Sequence, residues 1–226
     1  MQILVDAGIL LASYLIGSIP FGLILVKLLS GKDIRMVESG RTGGTNALRA
    51  AGWVAGLLTG ILDVLKAAVA VWLSQAITAN EWIHALAPIA AILGHNYSLF
   101  LAERDERGRW RLRGGAGGAP SFGGALGLWA PSALIILPIA ALIYYFIGYA
   151  SVTTLSVALM ATLIFAVRAM FFHSPWEYVI YGVLSGILLF WALLPNIKRL
   201  MNGTERLHGW RARGRSKEPV NGSDRG

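Results

Sequence analysis

The sequence predicts an all-α fold, a polytopic membrane helix bundle with about seven transmembrane helices. Of the 226 residues, 55% are hydrophobic and 14% are charged, whereas about a quarter of the residues in a soluble domain are charged. Long apolar runs recur along the chain and basic residues gather between them, as in proteins that cross a membrane several times. The net charge of +8 could also indicate nucleic-acid binding, but the apolar bulk argues against it. The absence of cysteine excludes disulfides and thiolate catalysis.

The predicted helices follow from where the apolar runs start and stop. The first run is predicted to be a retained helix, and not a secretory signal, because its positive charge follows the apolar residues. The run that begins in the glycine-rich stretch 114–124 is too long for one helix, and Pro131 near its middle divides it. The predicted spans are 3–29, 53–79, 82–101, 117–129, 131–149, 151–172 and 177–194.

The basic residues predict the orientation. They lie in the first loop, in the third loop and after the last span. Seven spans put all three groups on one side, which the positive-inside rule assigns to the cytoplasm, with the N-terminus outside and the C-terminus cytoplasmic. Five spans satisfy the same parity if some apolar segments are re-entrant. The chain is thus predicted to comprise a domain embedded in the cytoplasmic membrane, 1–205, and a basic, disordered tail, 206–226.

A glycine-rich loop with hydroxyl and basic side chains follows the first span. It reads Ser39-Gly40-Arg41-Thr42-Gly43-Gly44-Thr45-Asn46. Flexible backbone amides, hydroxyls and an arginine are groups that hold a phosphate, and their position predicts a phosphorylated ligand bound where lipid meets water. The alternative is an ordinary polar connection between two helices.

Three polar residues lie within or at the end of apolar spans. Asp63 and Lys66 are three residues apart, so on a helix they share a face and can pair. An unpaired charge at that depth is costly, so the pair is expected to face the bundle interior. It either fixes helix packing or lets Lys66 add charge to a phosphate site. His95 ends the third span and is either a structural donor or a functional group.

Three motifs occur in order between about residues 12 and 205. The first comprises Gly17-Ser18-Ile19-Pro20-Phe21-Gly22, Lys32-Asp33-Ile34-Arg35, the glycine-rich loop with Arg49, and Asp63-Val64-Leu65-Lys66. The second comprises Gly94-His95, Phe100-Leu101 and Arg113-Gly114-Gly115-Ala116-Gly117, and the third Asn196-Ile197-Lys198-Arg199-Leu200 and Asn202-Gly203-Thr204-Glu205. Together the chain resembles the bacterial acyl-phosphate-dependent glycerol-3-phosphate acyltransferases, and the joint occurrence is more specific than any single motif.

The resemblance implies a small integral membrane enzyme that moves a fatty acyl group from an acyl phosphate to the 1-hydroxyl of glycerol 3-phosphate. The products are lysophosphatidic acid and phosphate, no acyl-enzyme is expected, and acyl-CoA is not the donor. The expected partners are acyl phosphate, glycerol 3-phosphate and membrane lipids. No cofactor, metal or nucleic acid is expected, and the chain is predicted to be monomeric.

The candidate site residues follow from the same motifs. His95 and Asn196 are the candidate catalytic residues, while Asp63 and Glu205 are assigned structural roles. The candidate substrate-binding residues are Ser39, Gly40, Arg41, Gly43, Thr45, Asn46, Arg49, Lys66, Arg113, Gly114 and Gly115.

Two departures from the family pattern concern charge in the second motif. Arg113 and Ala116 stand where the family usually has lysines, so the first position keeps its charge and the second loses it. An insertion of about nine residues over 103–111 could supply a replacement cation, Arg109 or Arg111.

Two further departures flank the site. Leu193 stands where the family tends to have histidine, and Arg41 stands where asparagine is usual, which adds positive charge.

Two other hypotheses about the function stay open: a divergent paralogue with weak or no catalysis that binds lipid, and a transporter for a phosphorylated solute. A transporter is expected to place its polar groups near the bilayer midplane, whereas these clusters gather at one face.

Overall fold

The computed structural model describes residues 1–215 and is a helix bundle with one small β-hairpin. The helices are α1 (Gln2–Ser18), α2 (Phe21–Ser30), α3 (Gly44–Ile77), α4 (Glu81–Asn96), α5 (Gly118–Leu128), α6 (Ser132–Phe146), α7 (Ala150–Phe172), α8 (Glu177–Met201) and α9 (Gly209–Arg215). The antiparallel strands β1 (Ser98–Arg104) and β2 (Trp110–Arg113) lie between α4 and α5. The predicted helical membrane bundle is confirmed, and the hairpin is an addition to it.

The helices run alternately between two ends of the bundle. At one end, Asp6 in the first turns of α1 accepts a hydrogen bond from Asn80, just before α4. At the other end, Ser98 after α4 donates to the carbonyl of Ser18, the last residue of α1. The helices α1 and α4 are therefore parallel, and α3, which comes between them in the chain, runs in the opposite direction.

The second half of the chain continues this alternation. Gly115, just before α5, donates to the carbonyl of His95 at the end of α4, so α5 starts where α4 ends. Ser151 in the first turn of α7 donates to Glu205 after α8, so α7 starts where α8 ends. Within residues 1–215 the chain passes between the two ends seven times, with the start of α1 at one end and the end of α8 at the other.

Four helical stretches are long and apolar enough to cross a bilayer by length and composition: Gln2–Ser30, Gly44–Ile77, Ala150–Phe172 and Glu177–Met201. The passes α4, α5 and α6 have 16, 11 and 15 residues, below the roughly 20 that a crossing helix needs. The predicted third span, 82–101, was too long. Its helix ends at Asn96, and residues 98–101 belong to β1, which pairs with β2.

Two backbone breaks shape the end of the bundle where α1 and α4 finish. Pro20 separates α1 from α2, because proline cannot donate within a helix. Gly52, with a φ of 87°, divides α3 into two helices. A Cβ on Gly44 would lie 2.9 Å from the carbonyl oxygen of Gly56, so the short segment 44–51 folds back closely against the long segment that follows.

Small residues permit a close contact between α1 and α4. A Cβ on Gly17 of α1 would lie 2.2 Å from the Ala91 carbonyl oxygen of α4, and one on Gly94 would lie 2.1 Å from the Tyr14 carbonyl oxygen. No side chain fits in these gaps, so the backbones approach as they do in other membrane helix pairs. A larger apolar cluster, centred on the buried Phe165, joins α4, α5, α7 and α8.

The inserted residues 103–111 form the exposed end of the hairpin. Asp105 accepts hydrogen bonds from the backbone N–H groups of Arg107 and Arg109, both at 2.9 Å, and closes the turn. Arg104 lies over the ring of Trp110. The exposed end of the hairpin is therefore held by its own polar contacts, and no alternating pattern in the sequence was long enough to predict it.

The chain after α8 folds back onto the bundle. Residues 202–208, here called the C-terminal segment, lead into α9, and the backbone N–H of His208 donates to the carbonyl of Gly148 after α6 at 2.8 Å. The tail that was predicted to be disordered from residue 206 thus starts with defined structure. The rest of it, 216–226, lies outside the described residues.

Candidate active site

A cavity of about 620 Å³ opens at the end of the bundle where α4 and α8 finish. The glycine-rich loop, the last turns of α8 and the C-terminal segment line it, together with the first turns of α3, α5 and α7. Its volume lies in the range of sites for small molecules.

Three helices begin at the wall of this cavity: α3 at Gly44, α5 at Gly118 and α7 at Ala150. In the part of the chain that the structure describes, none of the three has a capping hydrogen bond from a side chain. The first backbone N–H groups of a helix lack intrahelical partners and carry the positive end of its dipole. Three such ends around one cavity create a strong preference for an anion.

Asn46 holds the glycine-rich loop in shape. Its buried side-chain amide donates to the carbonyl oxygens of Ile34, Val37 and Arg41 at 2.9 to 3.2 Å. Ser39 and Thr45 are exposed and line the cavity with Gly43. The NH2 group of Asn46 is thus committed to the loop backbone, whereas its Oδ1 has no partner among the described residues, and its predicted contact with substrate stays a prediction.

The predicted ion pair between Asp63 and Lys66 forms, and His95 joins it. Lys66 Nζ lies 2.8 Å from Asp63 Oδ1 and 2.8 Å from His95 Nδ1, and all three side chains are buried. An ammonium group can only donate, so His95 Nδ1 accepts and the ring proton is assigned to Nε2. Asp63 and His95 reach the cavity wall. Lys66 lies behind them and also donates to the carbonyl of Ile19 at the break after α1.

The paired glycines of the second motif allow close packing against His95. The N–H of Gly115 donates to the His95 carbonyl at 2.9 Å. A Cβ on Gly115 would lie 1.9 Å from His95 Nε2, and one on Gly114 would lie 2.1 Å from the His95 carbonyl oxygen. Gly114 and Gly115 therefore pack directly against the backbone and ring of His95, and neighbouring Ala116 and Gly117 line the cavity.

The third motif brings two polar residues to the same wall. Asn196 Nδ2 donates to Glu205 Oε1 at 3.2 Å, and Ser151 Oγ donates to Glu205 Oε2 at 2.7 Å. Glu205 is buried and ties α7, α8 and the C-terminal segment together, and its structural role stays a prediction. Asn196 Oδ1 has no partner among the described residues.

Four arginines line the cavity: Arg41, Arg49, Arg199 and Arg206. Arg41 Nη2 donates to the Ala192 carbonyl of α8 at 2.5 Å. Burial, and then the neighbouring Arg199, lower the pKa of the Arg41 guanidinium. Arg206 forms an exposed ion pair with Glu38 at 3.2 Å.

Arg49 lies against the C-terminal segment. Its Nη2 is 3.4 Å from His208 Nε2, and the His208 ring stacks on Tyr144 of α6 with a centroid separation of 5.3 Å. Burial lowers the pKa of His208, and the charges of Arg49 and Arg206 lower it further. A neutral His208 accepts from Arg49, and this contact directs the guanidinium along the cavity wall.

The structure brings many of the predicted residues together and separates others. The predicted residues that line the cavity are Ser39, Arg41, Gly43, Thr45, Asn46, Arg49, Asp63, His95, Asn196 and Glu205. The predicted residues outside the lining are Gly40, Lys66, Arg113, Gly114 and Gly115.

The replacement cations proposed for the inserted hairpin lie elsewhere. Arg109 pairs with Asp105 and Arg111 lies opposite Glu103 in the hairpin register, and neither lines the cavity. Arg113, a predicted substrate-binding residue, pairs with Glu103. The sequence interpretation missed Arg199, Arg206, His208, Ser151 and Thr154, which do line the cavity. Arg199 lies in the quoted third motif and could have been found there, whereas nothing in the sequence marked Arg206 or His208 within the predicted tail.

Comparison with known proteins identifies the family. The model of the family described as glycerol-3-phosphate acyltransferase matches residues 7–203. The chain belongs to this family. A glycerol-3-phosphate acyltransferase of Thermus thermophilus is 39% identical over 206 residues, covering 91% of this chain and 96% of the relative. One of Syntrophomonas wolfei is 34% identical, covering 88% of this chain and 95% of the relative.

Solved structures show the same membrane fold. A crystal structure of PlsY (YgiH), an integral membrane glycerol 3-phosphate acyltransferase, in its glycerol 3-phosphate form is similar with a TM-score of 0.78 and 28% identity, covering 90% of this chain and 96% of that one. The lysophosphatidic acid form of PlsY gives a TM-score of 0.76 and 26% identity, covering 90% and 95%. The chain is thus an integral membrane member of the acyltransferase family.

The departures noted in the sequence fall at the candidate active site of this family member. Ala116 and Leu193, which replace the usual lysine and histidine, both line the cavity. Arg41, which replaces the usual asparagine, lies against Ala192, next to Leu193. The acyltransferase fold is therefore kept, and three of the residues that depart from the family pattern lie at its cavity.

Proposed function

We propose that the protein transfers a fatty acyl group from an acyl phosphate to the 1-hydroxyl of glycerol 3-phosphate. One cavity carries the proposal. Among the described residues, three helix N-termini without a side-chain cap and four arginines lie together at this cavity. Both substrates bring a phosphoryl group, and this cavity offers backbone N–H groups and guanidinium groups to bind them. The relatives named glycerol-3-phosphate acyltransferase support the choice of acceptor.

The reaction needs no nucleophile from the protein. The hydroxyl oxygen of glycerol 3-phosphate attacks the acyl carbonyl carbon, and the bond from that carbon to the phosphate oxygen breaks. The hydroxyl proton is balanced by the proton that the released phosphate takes up. Because the acyl group is already activated, alignment of the two substrates and neutralisation of their charge supply the catalysis.

Two buried oxygen atoms are suited to the glycerol hydroxyl groups. Asp63 Oδ2 and Asn196 Oδ1 have no hydrogen-bond partner within residues 1–215, and both residues line the cavity. An unpartnered buried acceptor is costly, and a substrate hydroxyl that donates to it removes the cost. Asn196 thereby orients the acceptor, in agreement with its place among the candidate catalytic residues.

His95 is assigned a donor role. Its Nδ1 accepts from Lys66, which leaves the proton on Nε2. A histidine in this form cannot take a proton at Nε2, but it can donate to an oxygen on which negative charge develops. The Asp63–Lys66 pair holds the ring in this state from behind.

The cavity end of the bundle is assigned to the cytoplasmic face. Basic residues of the first loop, of the hairpin and of the C-terminal segment all lie at that end, which is the pattern of the positive-inside rule. The N-terminus then lies outside the cytoplasmic membrane. A site at this face meets water-soluble glycerol 3-phosphate while the acyl chain stays in the bilayer.

The test measures product formation by the purified, full-length protein in lipid nanodiscs. Labelled glycerol 3-phosphate is supplied with either acyl phosphate or acyl-CoA, and lysophosphatidic acid, phosphate and free thiol are measured. We expect one phosphate released per lysophosphatidic acid from acyl phosphate, and no product from acyl-CoA. Arg49→Gln should reduce turnover, whereas Arg107→Gln, on the exposed hairpin, should not.

The other outcomes contradict the proposal in different ways. Efficient use of acyl-CoA with thiol release would overturn the donor. No product from either donor above empty nanodiscs would favour the lipid-binding paralogue. Uptake of glycerol 3-phosphate into proteoliposomes without acylation would favour the transporter.

A further inference from the structure

Arg41 is a largely buried cation whose position is fixed by an uncharged group. Its guanidinium donates to the Ala192 carbonyl at 2.5 Å and lines the cavity with the last turns of α8. No carboxylate within residues 1–215 forms a salt bridge with it, although five other arginine and lysine side chains have one. One hydrogen bond to a carbonyl leaves most of the five guanidinium N–H groups free for another acceptor.

Arg199 adds a second charge of the same sign beside it. It lies two helical turns after Ala192 on α8 and lines the same cavity. It is close enough to Arg41 to lower the pKa of that side chain, and it too forms no salt bridge among the described residues. Two guanidinium groups that line one cavity without a salt bridge among the described residues repel each other, and an anion bound in that cavity relieves this repulsion.

Arg49 belongs to a different part of the cavity wall. It contacts His208, whose ring stacks on Tyr144 of α6. Arg41 is instead fixed on α8 through Ala192. The helix α7 packs against both α6 and α8, so the two arginines are held at separate places around one cavity.

We propose that Arg41 and Arg199 form a phosphoryl-binding subsite of their own, separate from the one around Arg49. The inference rests on the proposed function, since a transfer from acyl phosphate to glycerol 3-phosphate requires two phosphoryl groups in one cavity at the same time. Each subsite holds one of them: the Ala192 carbonyl of α8 positions Arg41, and His208 positions Arg49. The subsite also replaces charge that the chain lacks at Ala116.

The first measurement counts bound phosphate and needs no turnover. Inorganic phosphate is titrated into the purified full-length protein in detergent, with calorimetric detection. Wild type should bind two phosphates per chain, and the double variant Arg41→Gln/Arg199→Gln should bind one. The control Arg107→Gln removes one charge from the exposed hairpin and should still bind two. A single phosphate in wild type, or two in the double variant, would overturn the proposal.

The second measurement identifies the phosphoryl group at each subsite. Arg41→Gln or Arg199→Gln should raise the KM of one substrate roughly ten- to a hundredfold, the usual effect of losing a charge-assisted contact. Arg49→Gln should raise the KM of the other substrate. The substrate affected by Arg41 shows whether its subsite holds acyl phosphate or glycerol 3-phosphate. An equal effect of both sets of variants on the same substrate would show one shared site and contradict the proposal.

The two measurements separate this inference from the proposed function. Two bound phosphates, reduced to one by the double variant, would support the subsite even in a protein that transfers no acyl group. Acyl transfer with both KM values unchanged in Arg41→Gln and Arg199→Gln would leave the proposed function intact and remove the subsite.

Discussion

At the scale of single residues, the ion pair of Asp63 and Lys66 is buried, with 2.8 Å between Lys66 Nζ and Asp63 Oδ1. Lys66→Met leaves the Asp63 carboxylate buried without its partner, which typically costs about 3–5 kcal/mol. We expect a large drop in the thermal unfolding temperature of the detergent-solubilised protein. The double variant Asp63→Asn/Lys66→Met should recover most of that loss, because neither side chain is then charged. Equal instability of the single and double variants would show that the pair is not what stabilises this region.

Ala116 offers a residue-scale test of the rearranged charges. It lines the cavity just before the start of α5, at the position where the family usually has lysine. Ala116→Lys should leave acyl transfer unchanged or lower the KM for a phosphorylated substrate, as measured by initial rates. A large loss of turnover in a stable, correctly inserted variant would show that Arg41 and Arg199 already occupy the space that the lysine would need.

Some of these residues could be predicted from sequence because their reasons are local. The spacing of Asp63 and Lys66 puts them on one helix face, and the structure confirms their pairing. Arg206 and His208 could not be predicted, because they reach the cavity only when the chain after α8 turns back toward α6. That turn depends on contacts between distant residues, which spacing along the sequence does not contain.

At the scale of elements, the link between α4 and α5 depends on glycine. A Cβ on Gly115 would lie 1.9 Å from His95 Nε2, so Gly115→Ala must displace the ring or the loop. A displacement of about 1 Å at a reacting group can cost on the order of a hundredfold in rate, and we expect a loss of that size in kcat. The matched control is Gly8→Ala on α1, where an added Cβ meets nothing within 4 Å. Full activity of Gly115→Ala would show that His95 needs no such support.

The elements themselves divide into those the sequence predicted and those it did not. The helices α6 and α7 were predicted closely, because Pro131 and the short polar breaks mark their ends, whereas α8 continues to Met201, beyond the predicted end at 194. The first residues of α3, from Gly44, were predicted to be a loop because glycine and threonine are poor helix formers. The non-helical backbone at Gly52 also interrupts the helical spacing of apolar residues. Tertiary contact with the long part of α3 stabilises this segment against its own propensity.

At the scale of the whole molecule, the orientation in the membrane can be measured directly. The chain has no cysteine, so a thiol reagent labels only the single cysteine that is introduced. Arg107→Cys, on the exposed hairpin, should react with a membrane-impermeant reagent from the cytoplasmic side. Ala79→Cys, exposed at the opposite end between α3 and α4, should react from outside. Reaction of both from the same side would contradict the alternation of the helices across the bilayer.

The central claim is that acyl transfer from acyl phosphate takes place in the cavity where α3, α5 and α7 begin. Gly60 lines this cavity, and a Cβ added to it meets nothing within 4 Å, so Gly60→Phe can fold and fill the space. Gly8→Phe adds the same side chain at an exposed position of α1. The decisive measurement is the initial rate of lysophosphatidic acid formation from acyl phosphate and glycerol 3-phosphate by both variants in nanodiscs. We predict that Gly60→Phe abolishes the rate while Gly8→Phe keeps that of wild type; a wild-type rate in a folded Gly60→Phe protein would contradict the claim.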